Sequence, residues 1–160
     1  MRKGKTDKRM IKSISTTIDG VKMKSRLEGT MYQLLKDNKI PFKYESDSFI
    51  LFDSFTFNND YYARLASGKG DYCNRGYKKV NTITYKPDFV IKTDNYFAII
   101  ETKGYATEAY NMRMKMFKNY LNKNNITCDI FVPQVKSECI ETIEIIKNKL
   151  NGNKSNTKTN

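Results

Sequence analysis

Residues 86 to 103 constrain this chain more than any other stretch. Lys86-Pro87-Asp88 enters an extended segment, Thr93-Asp94-Asn95 forms a polar turn, and Tyr96-Phe97-Ala98-Ile99-Ile100 runs back into Glu101-Thr102-Lys103. Two extended runs joined by so short a polar connection predict a β-hairpin. Residues two apart on a strand share a face, which sets Glu101 beside Lys103. A twisted hairpin then aims two carboxylates and one amine at a single point. Such a set suits metal-assisted hydrolysis of a phosphodiester: carboxylates hold a hard cation, and the ammonium orients the attacking water or helps deprotonate it. The plainer alternative is a turn aspartate after proline and a surface ion pair worth about 0–1 kcal/mol.

Around the hairpin the periodicity changes. Ser25-Arg26-Leu27-Glu28 has capping-box spacing, and Leu27, Met31, Leu34 and Leu35 recur at helical intervals before Pro41 stops the helix near Asn38. Residues 42–45, 49–57 and 82–85 read as strands. A helix is expected over 107–122 with Ala109, Met112, Met116 and Tyr120 on its apolar face, then a strand over 127–132. A last helix over 137–150 carries Ile140, Ile143, Ile146 and Leu150 as its stripe. The order predicts an α/β fold, a mixed β-sheet flanked by helices. Residues 1–20, with six basic side chains, read as a disordered basic arm. Residues 21–150 form a single domain, 58–80 a turn-rich insertion with four tyrosines, and 151–160 a polar tail.

Composition removes several classes of function. There is no histidine, which excludes Ser-His-Asp and Cys-His catalysis. Cys73, Cys128 and Cys139 are odd in number and far apart, so neither a disulfide framework nor a zinc set follows. No apolar run is long enough to span a bilayer, and no secretory signal is expected; a cytoplasmic protein follows, without a membrane partner. The net charge of +12 suggests a polyanionic partner, most simply nucleic acid. The competing explanation is coding bias, because 23 lysines stand against 6 arginines.

The ordered set of Glu28 in its helix, Ile40-Pro41-Phe42-Lys43-Tyr44-Glu45, Tyr85-Lys86-Pro87-Asp88-Phe89 and Glu101-Thr102-Lys103-Gly104 resembles the PD-(D/E)xK nucleases. Within them it looks like the phage endonuclease I type of Holliday-junction resolvase, over about residues 25 to 132. The resemblance implies a restriction-endonuclease-like core that hydrolyses DNA, branched DNA above all, with Mg2+ and with Mn2+ able to substitute. It implies that Asp88 and Glu101 bind the metal with the carbonyl of Thr102, that Lys103 positions the water, and that Glu28 completes the acidic cluster. It also implies a bacterial or phage-infected host cell and a homodimer. The stretch from Glu45 to Thr82 is longer than the link between dimer halves in that family. On the 107–122 helix, Arg113, Lys115 and Lys118 are candidates for contact with DNA phosphates. Two alternatives stand beside the resolvase. One is a nicking, restriction-type or transposase-end nuclease of the same superfamily; the other is a basic protein that binds DNA without cutting it.

Overall fold

The computed structural model describes residues 14–155, and the side chains of residues 14–152. In chain order its elements are β1 (Thr16–Ile18), β2 (Val21–Met23), α1 (Arg26–Asp37), β3 (Lys43–Tyr44), β4 (Phe49–Phe52), β5 (Phe55–Phe57), β6 (Tyr62–Ala63) and β7 (Cys73–Asn74). They continue with β8 (Lys78–Val80), β9 (Ile83–Tyr85), β10 (Phe89–Thr93), β11 (Tyr96–Ile100), α2 (Glu108–Lys123), β12 (Asp129–Phe131) and α3 (Lys136–Ser155). The architecture is mixed α and β. It divides into two compact units. The first comprises Met1–Tyr44, Asp88–Tyr105 and Asp129–Asn160; the second comprises Glu45–Pro87 and Ala106–Cys128.

The first unit is built on a four-stranded sheet ordered β12-β11-β10-β3. The β10–β11 hairpin turns at Asp94-Asn95, with Thr93 opposite Tyr96 and Phe89 opposite Ile100. β3 adds antiparallel to β10, and β12 adds parallel to β11, which makes the sheet mixed. Phe89, Ile91, Ala98 and Ile100 project from one face into a core shared with Met31 and Leu35 of α1 and with Cys139, Ile143 and Ile146 of α3. Phe89 is fully buried, and burying a side chain of that kind contributes about 1.5–3 kcal/mol. Ser25 caps α1 by accepting the Glu28 N–H on its Oγ at 3.1 Å.

Three expectations change in this unit. Residues 14–20 are not an unstructured arm. Asp19 and Gly20 both hold positive φ, 52° and 75°, which reverses the chain in two residues and pairs β1 with β2. That hairpin lies close on α1: a Cβ on Gly29 would come within 2.6 Å of Thr16 Cγ2, and Lys36 pairs with Asp19. Residues 1–13 of the expected arm lie outside the described residues. α3 continues to Ser155, into the expected tail, of which 156–160 lie outside the description. Its buried stripe runs through Cys139, Thr142, Ile143 and Ile146, whereas Ile140 is exposed; one residue along a helix is a turn of about 100°, enough to carry Ile140 off the core.

In the second unit, residues 58–80 form ordered structure rather than a loop. Three antiparallel pairs nest inside one another: β4 with β9, β5 with β8, and β6 with β7. Together they make an arm whose base packs on α2. Phe49 and Tyr85 meet the Phe117 ring with centroids 5.1 and 4.6 Å apart. The buried face of α2 is Tyr110, Met114, Phe117 and Leu121. The expected face was rotated from this one, and Ala109 and Met112 are exposed. Met114 takes the interior position expected of Met112, with Tyr110, Phe117 and Leu121 beside it.

Candidate functional site

Strand register explains why two acids far apart in sequence meet. Phe89 stands opposite Ile100; one residue further, Asp88 comes opposite Glu101, and facing residues share a side of the sheet. β11 ends at Ile100, yet the parallel hydrogen bonding continues beyond it. The Glu101 N–H donates to Phe131 O at 2.9 Å and the Lys103 N–H to Pro133 O at 3.1 Å. Those bonds keep residues 101–103 extended, so Glu101 and Lys103 point the same way, with Lys103 Nζ 3.3 Å from Glu101 Oε1. Thr102, between them, turns its N–H toward β10. There it finds no strand carbonyl but the Asp88 carboxylate: both the Thr102 N–H and its Oγ1 donate to Asp88 Oδ2 at 2.8 Å.

Glu28 joins from α1. Its Oε2 accepts the Lys24 N–H at 2.9 Å and the Tyr44 hydroxyl at 2.8 Å. Tyr44 is itself placed by β3, opposite Phe89. Glu28 and Glu101 are 5% and 6% exposed and Thr102 is 7% exposed, whereas Lys103 keeps a third of its side chain open. Burial pushes the Asp88 carboxyl up to about 7; the charge of Glu101 adds to the rise, the two Thr102 bonds oppose it, and Glu28 adds a further push. Glu101 and Glu28 therefore both lie within electrostatic reach of Asp88.

Residues 8–138 match the family described as Protein of unknown function (DUF1064). The chain belongs to the DUF1064 family. Comparison with curated proteins and with solved structures returned no match. The DUF1064 match spans the whole acidic cluster, Lys103 and the nested arm, and it ends inside the first turn of α3.

Among the described residues of this DUF1064 chain, no three acidic, histidine or cysteine side chains form a ready cage for a metal. Magnesium does not need one: it keeps several waters and takes one or two carboxylates together with substrate phosphate oxygens. Asp88 and Glu101 offer that pair. Burial raises the Asp88 carboxyl and the charge of Glu101 raises it further, a repulsion that a divalent cation would relieve. The residues fit such an ion. Thr102 clamps Asp88 with its N–H and hydroxyl, which leaves its carbonyl oxygen uncommitted by those bonds. Glu28 accepts a backbone N–H at the start of α1 and lies close enough for its charge to act on Asp88. Arg113, Lys115 and Lys118 lie on α2 in the second unit, all exposed. Tyr44 was not singled out in advance; it lies 16 residues from Glu28, and no local pattern announces a bond over that distance.

Proposed function

We propose that this chain is a metal-dependent DNA endonuclease with a restriction-endonuclease-like core, acting on branched DNA in the manner of a Holliday-junction resolvase. The observation that carries the proposal is the meeting of Asp88 and Glu101 at the end of one hairpin, with the Lys103 ammonium 3.3 Å from Glu101. The net charge of +12 favours a polyanionic substrate. A Mg2+ or Mn2+ ion held by Asp88 and Glu101 would supply Lewis-acid stabilisation of the charge that builds on the phosphate. The protein's own part follows from its contacts. Thr102 fixes the Asp88 carboxylate through two hydrogen bonds, leaving its rotamer little freedom. Glu101 holds Lys103 at the mouth of the site, where the ammonium orients a water and stabilises developing negative charge. Glu28, through Tyr44 and the start of α1, keeps a third acid near Asp88, whose charge would draw a divalent cation to the pair. Cutting two strands symmetrically would call for a homodimer, in the cytoplasm of a bacterial or phage-infected cell.

The test is a substrate panel of four-way junction, nicked duplex, linear duplex and single-stranded DNA, with Mg2+, Mn2+ or EDTA. The junction is expected to be cut in either metal and left whole in EDTA. Lys103→Ala and Glu101→Ala are expected to slow cutting by roughly 10²–10⁴-fold with DNA binding retained. Equal cutting of linear and branched DNA reassigns the chain to another kind of nuclease. Salt-sensitive binding with no metal-dependent product from any substrate leaves the non-catalytic DNA-binding protein and overturns the proposal.

A further inference from the structure

The far end of the nested arm has a construction unlike the rest of the molecule. It is held by polar bonds rather than by a core. Asn74 Oδ1 accepts the N–H groups of Tyr61 and Gly76 at 3.2 and 2.9 Å. Arg75 donates its N–H to Tyr61 O at 2.7 Å and its Nε to Ala63 O at 2.8 Å. Gly76 passes so near the opposing strand that a Cβ there would stand 1.9 Å from Asn59 O. None of these contacts uses an aromatic ring. The rings are turned outward: Tyr61, Tyr62, Tyr72 and Tyr77 are 59%, 54%, 68% and 63% exposed.

Two of these rings are arranged together. Tyr62 stands opposite Asn74 in the β6–β7 pair, and Tyr72, two residues before Asn74, shares that face. Their centroids are 6.1 Å apart with planes tilted by 30°, side by side rather than stacked closed. Charge accompanies them. Residues 55–80 hold five basic and two acidic side chains; Asp60 accepts a bond from Asn74, and Lys78 and Lys79 are exposed on β8 at the neck of the arm. Lysine is depleted where proteins meet proteins. Open aromatic faces flanked by cations are instead the make-up of surfaces that track single-stranded nucleic acid, because every base has a π-face and every nucleotide a negative charge.

We infer that the tip of the arm is a stacking platform for unpaired nucleotides, with Tyr62 and Tyr72 taking bases on their rings and the net positive charge of residues 55–80 drawing in the backbone. It deepens the nuclease reading by naming a substrate feature, unpaired bases, and rests on that reading for its part in cleavage; the binding itself is measurable without cleavage.

The experiment uses the full chain in EDTA and a labelled oligothymidylate of about 20 nucleotides, with duplex of the same length alongside. The Y62A/Y72A variant is expected to lose about tenfold or more in single-strand affinity, with duplex affinity within about twofold of the parent. Y62F/Y72F keeps the rings and is expected to bind as the parent does. Since the chain has no tryptophan, Y72W gives a single reporter whose fluorescence is expected to be quenched by the oligonucleotide. Unchanged single-strand affinity in Y62A/Y72A, or an unquenched Y72W at saturating oligonucleotide, overturns the inference. So does concentration-dependent dimerisation that Y62A/Y72A abolishes, which would make a second copy the occupant. A chain that passes these tests but never cuts DNA in Mg2+ keeps the platform and loses the nuclease. One that cuts in Mg2+ while Y62A/Y72A binds as the parent loses only the platform.

Discussion

The sheet of the first unit and the arm of the second reach order by opposite routes. Around β10 and β11, apolar side chains are packed away from water and polar groups are few, so the buried Asp88 carboxyl is costly to ionise and holds its proton more tightly. Along β5 and β8, five of six residues are exposed, and the tip is tied by amide and guanidinium hydrogen bonds. The first environment raises the proton affinity of one acid, Asp88. The second presents rings and ammonium groups outward. Chemistry that depends on perturbed ionisation belongs to the dry end, and recognition that depends on open surface belongs to the wet end.

The largest test of that contrast is a pair of truncations. Phe89→Ala is expected to cost about 3–5 kcal/mol in urea unfolding, whereas Tyr77→Ala should stay within about 0.5 kcal/mol of the parent. Comparable losses would mean that the arm is held by its rings after all.

Next comes pH. The folded Asp88 carboxyl titrates near 7 and the unfolded one near its ordinary 3.8. The folded state therefore holds a proton that the unfolded chain has released between those values. Its stabilisation is complete below about 4 and is lost as pH rises through 7. Urea midpoints taken from pH 4.5 to 7.5 should fall with pH more steeply in the parent than in Asp88→Asn. Added Mg2+ should recover stability at the upper end in the parent alone. Parallel pH curves for the two proteins would show that the carboxylates do not strain one another.

The most local effect is expected at Gly76→Ala, which drives a methyl group into the Asn59 carbonyl. Amide exchange should quicken in β6 and β7, with protection in α1 and β10 unchanged.

Much of the site was legible because its logic is local. The Asp94-Asn95 turn sets the register of β10 on β11, and the register sets Asp88 beside Glu101; both steps can be counted off the residues. The helix starting at Ser25 was legible from its cap. Other features depend on partners distant in the chain. Whether Met112 or Met114 would be buried depended on Phe49 and Tyr85 arriving against Phe117. Ile140 lost its place to Cys139 because a core accepts shape before hydrophobicity. The nesting of the arm was hidden because its strands are two to four residues long, too short for alternation to be seen. Asp19-Gly20 is the exception. It is a strong hairpin signal, overlooked because the basic residues upstream made the whole segment resemble an unstructured tail.

The backbone bonds from Glu101 and Lys103 to β12 make the spacing of this segment unforgiving. Odd and even positions from 100 to 103 have different neighbours: one parity meets β12 through its amides, the other meets Asp88. Deleting a single residue there would exchange the two sets, presenting a hydroxyl where an acid belongs and leaving the aspartate without its clamp. Homologous chains should therefore vary freely in the length of the arm and almost never in the count of residues between the turn and the lysine.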